Sequence, residues 1–79
     1  MIISLYELSS KKRATIKNIN TDKITRERLH SLGLIMGVEI TFERNTPLGS
    51  PRIYQCLNSL VAIRNEIAKR IEVEEINER

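Results

Sequence analysis

Two glycines four residues apart, Gly33 and Gly37, constrain this chain more than any other feature. Leu29 and Leu32 precede them three apart, which places both on one helix face, and Gly33 follows where a left-handed helix cap is usual. After Gly37, Val38, Ile40 and Phe42 alternate with Glu39, Thr41 and Glu43, the period of a half-buried strand. Next comes Asn45-Thr46-Pro47-Leu48-Gly49-Ser50-Pro51, where two prolines and a glycine stiffen a short loop. A helix end, two corners, a strand and a restrained loop within 24 residues leave little freedom for the chain around them.

The flanking segments take their roles from this frame. Ile2 to Leu8, anchored by Ile3, Leu5 and Leu8, predicts a short strand that enters a helical turn. Ala14 to Ile19 predicts a strand; Ile16 and Ile19 cannot share a strict alternating face, so a bulge is expected between them. Asn20-Thr21-Asp22 offers capping oxygens for a helix from Lys23 to Leu32. Its apolar residues are Ile24, Leu29 and Leu32, with the leucines turned into the core. Arg52 to Leu57 predicts a strand with Ile53, Gln55 and Leu57 on one face and Arg52, Tyr54 and Cys56 on the other. Asn58-Ser59 predicts a two-residue turn, because asparagine tolerates positive φ. Leu60 to Arg64 returns as a strand, Asn65 caps one helical turn, and Ile71 and Val73 alternate with Glu72 and Glu74 in a last strand.

The result is a mainly β chain with one short helix and five to six short strands. Tight turns favour a small barrel or sandwich over a parallel sheet, which needs helical crossovers. With 79 residues, only about 60% of the unfolded surface can be buried, so a single compact domain over residues 1–75 is expected, with 76–79 as a fraying tail. Gly33, Gly37, Gly49 and Asn58 are its structural corners.

Chemistry is sparse. No phosphate-binding loop pattern occurs, and His30 and Cys56, the only histidine and the only cysteine, fall on different elements. No general acid–base pair stands out, so an enzyme is not expected, and neither is a bound cofactor or a metal site within one chain. A metal shared between copies through His30 or Cys56 stays open. Cys56 reads as a packing residue, and as a lone cysteine it closes no internal disulfide. The net charge of +3 is mild. Lys11-Lys12-Arg13 is the one basic cluster, and the far end is acidic. A nucleic-acid-binding barrel would interleave basic residues with aromatics, yet only Tyr6, Phe42 and Tyr54 are aromatic. No apolar run approaches the roughly 20 residues that span a bilayer, and no leader pattern is present. A cytoplasmic location follows as the expectation.

These residues, in this order, resemble the FeoA family. The resemblance rests on Arg28-Leu29, Leu32-Gly33-Leu34, Gly37 before a strand, and Pro47-Leu48-Gly49-Ser50-Pro51. Ala62-Ile63-Arg64, Ala68 and Ile71-Glu72-Val73 extend it to the end of the chain. It implies an SH3-like barrel and an accessory role in bacterial ferrous iron uptake. The implied partner is FeoB, a membrane iron transporter with a GTPase-like domain, which would recruit the chain to the inner face of the membrane. The same fold ends iron-dependent repressors of the DtxR type. No helix-turn-helix precedes the barrel here, so a stand-alone relative of that domain is an alternative, and a complete repressor is not expected if this is the full chain. Two departures from the family pattern stand out. Lys11 or Lys12 occupies the first turn where glycine is usual, which implies a different turn geometry there. Asn58 replaces glycine in the last hairpin.

A docking surface is expected from what the core cannot absorb. Leu34, Ile35 and Met36 lie between the glycines and cannot all turn inward. At least one of them, with Leu48, is expected to form an exposed apolar patch, the alternative being that the barrel mouth covers all four. Pro47 shapes the loop that carries Leu48. Arg44, Arg52 and the Lys11–Arg13 cluster would supply a charged rim.

Overall fold

The computed structural model describes residues 1–77. β1 (Ile2–Ser4) runs into a single 3-10 turn (Leu5–Glu7), then follow β2 (Arg13–Ile19), α1 (Lys23–Ser31), β3 (Glu39–Arg44), β4 (Arg52–Cys56), β5 (Ser59–Ile63), α2 (Asn65–Ala68) and β6 (Ile71–Glu75). The strands form one antiparallel sheet in the order β1-β6-β2-β3-β4-β5.

The bulge in β2 falls where the apolar spacing requires it. Ile16 pairs with Val73 and Asn18 with Glu72, so Lys17 is the extra residue and both Ile16 and Ile19 reach the core. Ile40 and Phe42 of β3, Tyr54 and Cys56 of β4, Val61 and Ile63 of β5, and Ile71 and Val73 of β6 meet them there. Leu5 and Leu8 close one end of this core and Leu34 joins it. Phe42 and Tyr54, paired across strands, bring their rings to 5.3 Å. Among the described residues no polar or charged residue is buried as a whole.

α1 starts at Asp22, whose carboxylate accepts from the Thr25 N–H at 3.3 Å. Hydrogen bonds from Thr25, side chain first and then backbone, hold the Asp22 carboxyl below its ordinary pKa. The helix stops by geometry set at Gly33 (φ 96°). The Gly33 N–H donates to His30 O and the Leu34 N–H to Leu29 O, both at 3.0 Å, the paired bonds of a Schellman cap. Gly37 (φ 95°) then donates its N–H to Ile16 O at 2.7 Å, which lays the chain onto β2 as β3 begins.

Three local expectations are corrected. Leu32 is not core: one residue past the helix and before the reversal at Gly33, it points outward and is 46% exposed. Ile24 is exposed as well, since Leu29 is the one residue of this nine-residue helix that is buried. The β4–β5 turn is centred on Leu57-Asn58, both at positive φ, with Cys56 opposite Ser59, one residue earlier than the asparagine alone suggested. Asn65 does not cap α2, for which Arg64 holds the capping position. The Asn65 amide instead donates to Gly49 O at 2.9 Å, and its backbone N–H donates to Ser50 Oγ at 3.2 Å.

The first turn keeps a left-handed residue despite its lack of glycine. Lys11 sits at φ 67° and its N–H donates to Phe42 O at 2.7 Å. At the C-terminus Ile76 is half-buried and its N–H donates to Arg13 O at 2.9 Å, so pairing reaches one residue past β6. Of the expected frayed tail, Glu78 and Arg79 lie outside the described residues.

Candidate functional site

The residues singled out for a surface role separate into two groups, because β3 stands between them. Ile35 and Met36 precede its start and the loop 45–51 follows its end. Six residues at about 3.3 Å each hold the two groups roughly 20 Å apart. Leu34 belongs to neither, since its side chain is fully buried.

The loop group is Arg44, Pro47 and Leu48. Leu48 is 92% exposed at the tip. The loop beneath it is braced: Thr46 Oγ1 donates to Pro51 O at 2.8 Å, the Gly49 N–H donates to Thr46 O, and Asn65 ties Gly49 and Ser50 to α2. A leucine held in water on a rigid loop gains nothing for the fold.

The other group gathers where α1 ends. Met36 is 63% exposed and Ile35 about half so. They share this end with Leu32 and with a residue that the sequence did not single out, Leu57, also exposed. The link is direct. A Cβ built on Gly33 would lie 2.9 Å from Leu57 Cδ1, and Cys56 Sγ lies 3.6 Å from Gly33 O. Leu57 was legible in principle: it shares a strand face with Gln55, which is exposed, and it carries a leucine at φ 53°, a position that suits glycine or asparagine.

Arg52 is not a free rim cation. It stacks over the Tyr6 ring at 4.2 Å and the Phe42 ring at 4.9 Å, and its Nη1 donates to Tyr6 O at 2.8 Å. It latches the 3-10 turn onto β4. Two of the three residues of the basic cluster are balanced locally: Lys11 meets Glu43 at 3.4 Å and Arg13 meets Glu39 at 3.1 Å. Arg44 is exposed. His30 lies on the outside of α1, beside a hollow lined by Asn18, Ile19, Arg26 and Met36. Cys56 is buried, and burial pushes its thiol pKa up, away from the thiolate that nucleophilic chemistry requires. No group of three or more His, Cys, Asp or Glu side chains among the described residues could hold a metal ion. No helix among them is long and apolar enough to cross a membrane.

Residues 3–75 match the FeoA domain. The chain belongs to the FeoA family. A relative from Porphyromonas gingivalis, an Fe(2+) transport protein A/Fe(2+) transporter FeoB fusion protein, is 33% identical over 73 residues, which are 92% of this chain and 9% of that protein. The chain thus spans a small fraction of that relative's length. Among solved structures, the FeoA protein of Chlorobium tepidum is 31% identical, with a TM-score of 0.90 over 95% of this chain and 71% of the other. FeoA of Stenotrophomonas maltophilia, an SH3 domain protein solved in complex with zinc, is 30% identical with a TM-score of 0.76, covering 91% and 89% of the two chains. The FeoA-like fold here is therefore SH3-like. A manganese-dependent transcriptional repressor shares the fold alone, at 13% identity and a TM-score of 0.84 over 95% of this chain and 42% of that one.

Proposed function

We propose that this FeoA-family chain is a non-enzymatic accessory protein of ferrous iron uptake that docks to the cytoplasmic part of a FeoB-like transporter and biases its conformation. The observation that carries this reading is the Porphyromonas gingivalis relative, in which a FeoA segment and FeoB are one polypeptide. Fusion holds two modules at a high effective concentration, an arrangement that suits modules acting on each other. The geometry is consistent with docking. The chain offers apolar side chains on two rigid corners, Leu48 on one and Ile35 and Met36 on the other, with Arg44 next to the first.

The test is binding of this chain to the soluble cytoplasmic domain of FeoB and to the full transporter in detergent, across a range of salt. Binding that weakens at least tenfold, about 1.4 kcal/mol, with Leu48→Glu or Met36→Glu would support the reading and identify the corner that docks. Absence of binding to both forms of the transporter at every salt concentration would end it.

A further inference from the structure

α1 and the end of β5 do not close fully on each other. Between them lies a groove of about 190 Å³, floored by Leu29 and Ile63 and walled by Leu32, Ala62 and Ile67. Leu29 and Ile63 are buried, whereas Leu32 and Ala62 stay exposed along its rim. Its size narrows what can enter. An apolar cavity of roughly 150 Å³ takes a benzene ring, while small-molecule sites usually run from about 300 Å³ upward. The groove suits one large apolar side chain, not a nucleotide or a cofactor.

Its charges narrow the choice further. Arg28 stands on the helix side and Arg64 just past the end of β5, both exposed. Thr25 is the other polar residue that lines the groove, and no carboxylate does. On the sheet, Lys11, Arg13 and Lys17 each meet a glutamate. The guanidinium groups of Arg28 and Arg64 have no ion-pair partner among the described residues. A guanidinium takes a carboxylate through two parallel N–H···O bonds, and beside an apolar pocket such a pair is screened less than in open water. No aromatic ring lines the groove, so nucleic-acid bases have no stacking platform there.

We propose that this groove binds an acidic peptide segment: one large apolar side chain inserts between α1 and β5, and flanking carboxylates pair with Arg28 and Arg64. The apolar floor supplies affinity, and the two arginines select acidic neighbours over basic ones. One anchor and two charge pairs at the rim make a weak contact that salt weakens further. The proposal does not rest on FeoB docking.

The test uses the full chain, without any transporter, and a short synthetic peptide whose central leucine sits between pairs of glutamates. Titration at about 50 mM salt should shift the amide resonances of Leu29, Leu32, Ala62 and Ile63, and about 500 mM salt should weaken binding roughly tenfold. Replacing the central leucine by alanine, or the glutamates by lysines, should each weaken it by at least about fivefold. Arg28 and Arg64 are exposed, so Arg28→Glu combined with Arg64→Glu should keep the fold, as read by circular dichroism. That double variant should lose the acidic peptide and bind the lysine-flanked one. Failure of the acidic peptide to shift those amides at millimolar concentration would overturn the proposal. So would equal binding of the lysine-flanked peptide by the parent chain, a double variant that still binds the acidic one, or tighter binding of oligouridylate at the same amides. FeoB docking is read separately, with the transporter present, and stands or falls on its own.

Discussion

Lys11 holds a left-handed backbone position, φ 67°, that costs an L-residue with a Cβ about 1–2 kcal/mol. The turn tolerates it because the Lys11 N–H reaches Phe42 O and the side chain reaches Glu43. Lys11→Gly should therefore raise stability in urea by about 0.5–1 kcal/mol: the surface ion pair it loses is worth less than the strain it relieves, and the added freedom of the unfolded glycine takes back part of the gain. Tyr54 tests a different property. Its ring is fully buried, and its hydroxyl lies beside the Arg52 guanidinium without a formed hydrogen bond. Burial raises the phenol pKa against the pull of Arg52. A raised folded pKa favours the protonated state in the fold, so this stability is present below the unfolded pKa of about 10 and is lost as pH climbs past it. Tyr54→Phe should match the parent within about 0.5 kcal/mol at neutral pH, then gain on it above pH 10 in paired unfolding curves.

Between elements, two joints decide how the parts meet. Gly33 ends α1 with φ 96°, and an added Cβ would also press Leu57 Cδ1, the movable end of a side chain. The backbone term therefore dominates, and Gly33→Ala should cost about 1–2 kcal/mol in thermal or chemical unfolding, with Gly33→Asn less harmful. Arg52 is the joint between the 3-10 turn and β4. Its contacts depend on a planar guanidinium that stacks on Tyr6 and Phe42 while it donates to a carbonyl. Arg52→Ala should cost about 2 kcal/mol, and Arg52→Lys should recover little of it, since an ammonium keeps the charge but cannot both stack and bond. Recovery of parental stability by the lysine variant would show that charge alone matters.

For the molecule as a whole, the sheet order makes the ends of the chain interdependent. β6 lies between β1 and β2, so residues from both termini complete one core. The chain should unfold in one cooperative step, with tyrosine fluorescence and far-ultraviolet circular dichroism giving the same urea midpoint. Early fluorescence loss, with the β signal retained, would mean that the first turn and β4 separate before the sheet opens.

Much of this architecture was written in local sequence. The alternation through Val38–Glu43, the glycine at the helix exit, the bulge between Ile16 and Ile19 and the Ile71–Val73 strand each rest on period or backbone freedom, which a residue carries with it. Leu32, Leu34 and Arg52 could not be placed in that way. Whether a leucine beside a glycine turns in or out depends on the direction of the chain after the reversal, and Arg52 is held by Tyr6, 46 positions away. The meeting of Gly33 with Leu57, the distance between Leu48 and Met36, and the groove between α1 and β5 are likewise products of strand order. Local patterning determined which segments are strand, helix or corner; only their packing decided which apolar side chains were left for the outside.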